Sequence, residues 1–344
     1  MPVRNDAGPP GLDLGRLAAH LGGLGLAAGP LSAEVIHGGK SNLTYLVDDG
    51  GHRLVVRRPP LGHVLATAHD MAREYQVMTA LRDTGVPVPR TFHLCEDPEV
   101  IGAPFYVMEY VEGAQPPATP AIEAELTDVL ARLHAVDPAA VGLATFGRPD
   151  GFLERQVRRW KRQLDASRSR EIPGIDDLPG RLARSVPATQ RHTIVHGDYK
   201  PGNTLIADGR VAAVLDWEMS TLGDPLTDLA LFLLYGDFAE LDTGGRPAAA
   251  EDPTLGDGSA TGGGPAAGTA RAGLAERYAR GAGLDVSGLG WYIGLACFKL
   301  AVIAEGIHFR HTQGLTVGEG FDDIGGHVAP LVAHGLHALD ALEG

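Results

Sequence analysis

Only two of the 344 residues are cysteine, Cys95 and Cys297. That is too few for a disulfide framework and suits a reducing compartment. Basic residues are also scarce: 29 Lys and Arg stand against 43 Asp and Glu, a formal net charge of −14. Such an acidic chain argues against nucleic acid as a partner, because phosphate backbones attract basic surfaces. The most apolar run, Leu226 to Tyr235, is short and holds Asp228, well below the ~20 apolar residues of a membrane-crossing helix. Met1 to Leu17 carries Pro, Gly and Asp in place of an apolar signal-peptide core. The expectation from these absences is a cytoplasmic protein with no membrane and no nucleic acid among its partners. The oligomeric state leaves no signature.

What remains is an ordinary globular balance, 44% hydrophobic and 21% charged, long enough for one large or two small domains. Residues 1–30 are rich in Gly, Pro and Ala with one helix-like patch at Leu12 to Leu24, and read as a flexible leader. Glu34 to Val47 reads as strand, glycine turn, strand, and Arg53 to Arg58 as a third strand. The Gly38-Gly39 turn lets backbone N–H groups approach phosphates with no Cβ in the way, with Lys40 and Ser41 beside it. Gly39-Lys40-Ser41 imitates the end of a P-loop, but Glu34 stands where the required earlier glycine would be, and a strand follows in place of a helix. That reading fails. A stretch at about 240–269, with many glycines and almost no large apolar residue, reads as a flexible surface insert.

The densest chemistry lies in His196-Gly-Asp-Tyr-Lys-Pro-Gly-Asn203, then Val214-Leu-Asp-Trp-Glu218, then Asp224-Pro-Leu-Thr-Asp228. Thr204 to Ala207, an Asp208-Gly209 turn and Val211 to Leu215 form a predicted hairpin. A hairpin brings its ends together, so Asp198 and Asn203 lie near Asp216. Phosphoryl transfer needs charge control and in-line positioning more than covalent help. Asp198 can orient an attacking hydroxyl and take its proton, while Asn203 and Asp216 offer hard oxygen ligands for Mg2+. Lys200 can reach the moving phosphate as a point charge. The basic helix around Leu153 to Arg162 reads as a solvated face or, with Arg155 and Arg159 at i and i+4, as a clamp for an anionic acceptor.

On these motifs the chain resembles the aminoglycoside phosphotransferase and choline kinase-like superfamily. Asp216-Trp-Glu-Met-Ser-Thr-Leu-Gly-Asp-Pro-Leu-Thr-Asp228 is similar to the branch found fused to acyl-CoA dehydrogenases. The resemblance runs from about Ile36 to about Gly314. It implies an α+β, bilobal protein-kinase-like fold, with an N-lobe at 31–111 and a mostly helical C-lobe at 112–344. It implies ATP and Mg2+ as cofactors, and a nucleotide and a small-molecule hydroxyl as partners.

By the same resemblance Arg57 stands where the superfamily places a phosphate-gripping lysine, with the adjacent Arg58 leaving the register open by one. Glu74 would hold that cation. Glu109 and Val111 would bind the adenine edge through their backbone, and Val55, Leu205 and Leu215 would sandwich the base. His196 is grouped with Asp198 and Lys200 in the catalytic segment, where His196 and Asp228 would brace the loop. Glu305 and His308 on a C-terminal helix would reach the acceptor. The implied acceptor is a hydroxyacyl group or its coenzyme A thioester. An aminoglycoside- or choline-like cation, or a nucleotide-binding pseudokinase, are the alternatives.

Overall fold

The computed structural model describes residues 8–36, 42–61, 70–116, 119–238, 265–315 and 323–343. The predicted phosphate turn, Gly38, Gly39, Lys40 and Ser41, lies outside them. A five-stranded antiparallel sheet opens the chain, in the order β1-β2-β3-β5-β4. Its strands are β1 (Ser32–Val35), β2 (Leu43–Asp48), β3 (Arg53–Arg58), β4 (Thr91–Cys95) and β5 (Phe105–Glu109). Successive side chains on a strand face opposite ways, and both faces here are covered. Val55, Tyr106 and Met108 join the core shared with helix α2 (Met71–Leu81) and the helices beyond. Leu54, Val56, Phe105 and Val107 form a second core on the other face.

That second core corrects the expected flexible leader. Helix α1 (Leu14–Gly23), capped by the Asp13 carboxylate, puts Leu17 and Leu21 fully out of water against the sheet, with Leu12 beside them. The Tyr45 hydroxyl donates to Pro10 O at 2.7 Å. The apolar spacing at 14, 17 and 21 dominates the glycine-rich composition around it, because each leucine buried contributes about 1.5–3 kcal/mol.

The rest is mainly helical: α3 (Pro120–Ala135), α4 (Phe152–Ser167), α5 (Asp177–Arg184), α6 (Leu226–Asp237), α7 (Pro265–Ala282), α8 (Leu289–Thr312) and α9 (Val328–Glu343). The short pairs β6 (Thr193–Val195) with β9 (Thr221–Gly223), and β7 (Thr204–Ala207) with β8 (Arg210–Val214), interrupt the helices. Helix α7 begins at Pro265, so the end of the expected insert is helical; most of that insert lies outside the described residues. Helix α8 has the length and apolarity of a membrane span, yet 67% of its most apolar stretch is buried within the fold. It is the axis of the helical lobe, packed by α4, α5, α6 and α9.

Candidate active site

The predicted hairpin is β7–β8. Asp208 (φ 51°) and Gly209 (φ 73°) both adopt positive φ, as a two-residue turn matched to strand twist requires. Thr204 pairs with Val214, and Leu215 N–H donates to Asn203 O at 2.8 Å. The ladder therefore sets Asn203 beside the residue that precedes Asp216. Asp216 itself holds a left-handed backbone, φ 63° and ψ 62°. Such a conformation costs a non-glycine residue of order 1–3 kcal/mol and persists only where the surroundings enforce it.

Three side chains hold the Asp198 carboxylate, and a fourth holds its neighbour. Tyr235 on α6 donates its hydroxyl to Oδ1 at 3.0 Å, and Asn203 Nδ2 donates to Oδ2 at 3.1 Å. Lys200 Nζ stands 3.7 Å from Oδ2, and Lys299 Nζ on α8 donates to the neighbouring Gly197 carbonyl at 2.5 Å. Burial pushes the Asp198 carboxyl up, but Lys200, Lys299, His196 and the Tyr235 hydroxyl outweigh it and hold the group below its ordinary value. Asp198 is thus ionised at neutral pH. With its Nδ2 committed to Asp198, Asn203 keeps Oδ1 for a cation.

The loop is braced from beneath. Asp228 at the start of α6 accepts from His196 N (2.6 Å), Gly197 N (2.9 Å) and His134 Nε2 (3.2 Å). The His196 ring is fully buried: Nε2 meets Leu215 O at 2.9 Å, and Nδ1 accepts from Asp198 N at 3.2 Å. Its inclusion in the catalytic set is therefore corrected. Both ring nitrogens bind backbone, so His196 shapes the loop and cannot exchange protons with a ligand. Gly197, at φ +84°, has no room for a side chain, since a Cβ would lie 2.6 Å from Met219 O. Gly197→Ala is expected to cost about 1–3 kcal/mol and lower activity with it, read from the urea midpoint and turnover of the same preparation.

A cavity of about 500 Å³ opens between the sheet and this loop, lined by Val55, Arg57, Met108, Glu109, Val111, Asn203, Leu205, Leu215 and Asp216 among others. Eight predicted positions, all of these but Met108, therefore meet in one cleft. The register left open at β3 resolves by alternation. Arg57 faces the cleft, ion-paired at 3.0 Å to Glu74 Oε2 and at 2.5 Å to Asp216 Oδ1. Arg58 faces the other core and donates to Gly11 O and Ile101 O. Glu74 is buried and further held by Asn42 Nδ2 (2.8 Å) and the Tyr106 hydroxyl (2.9 Å). Burial dominates its carboxyl and raises it above the ordinary range, with Arg57 pulling the other way.

A second cavity, about 580 Å³, adjoins the loop at Gly197 and Lys299 and is lined by Arg73, Arg148, Arg155, Gln156, Arg159, Trp160 and Glu218. Arg155 and Arg159 thus reach a cavity, although Arg155 also donates to Asp150 O and Arg148 O. Glu305 and His308 do not line it. Glu305 is fully buried and taken by Ser169 N and Oγ and by Arg170 Nε, so it anchors the chain after α4. His308 packs where Gly325 passes close to its Nδ1. The expected acceptor contact fails for both.

Sequence reasoning missed Lys299, Tyr235, Asn42 and Tyr106. Lys299 had a signal: a single cation within Leu295-Ala-Cys-Phe-Lys-Leu-Ala-Val302 must face an anion if that helix is buried. Burial lowers its ammonium group, while Asp198 and Asp228 oppose the shift.

The model of the phosphotransferase enzyme family matches residues 32–280. The chain is 35% identical over 330 residues to acyl-CoA dehydrogenase family member 11 of Gallus gallus, covering 90% of this chain but only 40% of that protein. A crystal structure from Ralstonia eutropha, described as a candidate aminoglycoside phosphotransferase, superposes with a TM-score of 0.77 at 31% identity, over 96% of this chain and 98% of the other. A thermostable mutant aminoglycoside phosphotransferase in ternary complex with AMP-PNP and hygromycin B gives a TM-score of 0.58 at 16% identity, over 95% and 97% of the two chains. That last likeness speaks to the fold alone.

Proposed function

Because the chain belongs to the phosphotransferase enzyme family, we propose that it transfers a phosphoryl group from ATP to a hydroxyl on an anionic small molecule, a hydroxyacyl group or its coenzyme A thioester. The observation that carries the acceptor's charge is the second cavity. Arg73, Arg148, Arg155, Arg159 and Lys299 line it against one glutamate, Glu218, and the sequestered Asp228. The guanidinium hydrogen bonds of Arg73 and Arg155 go to neutral carbonyl oxygens and not to carboxylates. Guanidinium groups suit carboxylates and phosphates. A cationic acceptor would meet repulsion here.

The nucleotide reading rests on the other cavity. Val55, Leu205 and Leu215 offer apolar walls for a base, and Glu109 and Val111 border the cavity, where the family resemblance would have their backbone groups meet the base edge. Asn203 and Asp216 supply oxygen donors of the kind magnesium takes. Magnesium bound there would neutralise charge on the phosphates. Asp198 orients the acceptor hydroxyl and accepts its proton; Lys200 and Arg57 balance phosphate charge. Glu74 holds Arg57, Tyr235 fixes the Asp198 rotamer, and Asp228 and His196 keep the loop in shape.

The test is turnover with ATP and magnesium on a panel of hydroxyacyl-CoA, free hydroxy acids, choline and an aminoglycoside, with Asp216→Ala as blank. Arg159→Glu is expected to raise KM for the anionic acceptor at least about tenfold, the effect of ~1.4 kcal/mol, while KM for ATP stays put. Turnover confined to the cations would overturn the acceptor assignment. The Arg57–Asp216 contact favours one other reading, a nucleotide-binding module, which predicts nucleotide affinity independent of magnesium and no turnover.

A further inference from the structure

Away from both cavities, three metal-ligating side chains converge where α1 lies against β4, an edge strand of the sheet. His20 Nε2 and His93 Nε2 face one another at 3.0 Å, and with Cys95 Sγ they all lie within 4.8 Å of one another. We propose that His20, His93 and Cys95 bind a single zinc ion that fastens α1 to the sheet.

Placement is what brings the three together. His93 and Cys95 are two residues apart on a strand, so they share a face; His20 arrives from a helix 73 positions earlier. Two imidazoles and a thiolate form a borderline-soft set, which suits zinc and excludes magnesium or calcium. Tetrahedral zinc with nitrogens at ~2.0–2.1 Å separates them by about 3.3 Å, so the histidines need open only a few tenths of an ångström. Cys95 is buried, and its thiol makes one weak contact, at 3.6 Å to Asp97 O. A small side-chain rotation frees the sulfur, and water completes the fourth position.

The protons balance. In the metal-free pair one Nε2 donates to the other, and on binding that ring carries its proton on Nδ1 instead. Cys95 loses its thiol proton to solvent, so one proton leaves per ion bound. What the site does is mechanical: α1 covers the outer core of Leu12, Tyr45, Val56 and Phe105, and a metal clip would hold it there.

Cobalt(II) titration of the metal-free full chain tests this, because thiolate ligation gives a charge-transfer band that oxygen ligands at Asn203 or Asp216 cannot. The chain has one other cysteine, Cys297, fully buried on α8. The expected result is one equivalent bound with that band, lost in Cys95→Ser, kept in Cys297→Ser, and at least tenfold weaker in His93→Ala. Zinc should also raise the thermal midpoint of the wild type and not of Cys95→Ser. Should His93→Ala fold poorly, His20→Asn is read in the same way. No band, a band that survives Cys95→Ser, or cobalt affinity indifferent to both histidines would show only an imidazole pair sharing a proton.

Discussion

Asp198→Asn is expected to lower kcat by about 10²–10⁴, the range for a positioned acid–base group, while leaving nucleotide affinity intact. The substitution keeps the size of the side chain and an acceptor for the Tyr235 hydroxyl, now 3.0 Å from Oδ1. It removes the charge that Lys200 and Lys299 face. An amide cannot take the acceptor's proton, so loss should fall on turnover and not on ATP binding. Because burial is outweighed by those two ammonium groups, the carboxyl lies below its ordinary value. The acid limb of kcat should therefore fall below the ~3.9 of a free aspartate. Single-turnover rates and calorimetric nucleotide affinity on the same preparation check both halves. Full turnover in Asp198→Asn on a validated acceptor would remove the base from the mechanism.

The local part of this site was legible in the chain because its pieces are consecutive. Asp198, Asn203 and Asp216 are tied by one hairpin whose turn, Asp208-Gly209, declares itself by residue type. Arg57 was placed by resemblance, with a one-residue ambiguity that alternation along β3 resolves, since Arg57 meets Glu74 and Arg58 turns to Gly11 and Ile101. Lys299 showed itself only as a lone cation in an apolar helix, and Tyr235 not at all: both reach the loop from helices many residues away, and no local pattern says which helix packs there. Glu305 misled for the same reason. An interruption on an apolar face marks a buried charge, but not its partner, and here that partner is the Ser169–Arg170 segment. The leader misled by composition: its leucines, spaced for one helix face, outweigh the glycines around them once a sheet face is available.

Asp228→Ala should produce the largest stability loss, about 3–5 kcal/mol, the cost of breaking a buried charged network by removing one partner. One carboxylate there takes the N–H groups of His196 and Gly197 and the ring of His134. Truncation leaves all three donors without their acceptor in a site that is 1% exposed. Burial raises the Asp228 carboxyl, yet His134, His196 and Gly197 N–H together hold it below its ordinary value. A lowered folded value means the contribution is fully present above the unfolded ~3.9 and is lost as pH falls through the folded value. The wild type should therefore shed this part of its stability only in strong acid, and the difference between wild type and variant should shrink there. Asp228→Asn keeps one carbonyl acceptor and should fall between the two. Urea midpoints from neutral pH down to about 3 are the measurement. Equal midpoints for wild type and Asp228→Ala at neutral pH would mean that the loop finds its shape without this carboxylate, and that the ordering of Asp198 comes from Tyr235 and Asn203 alone.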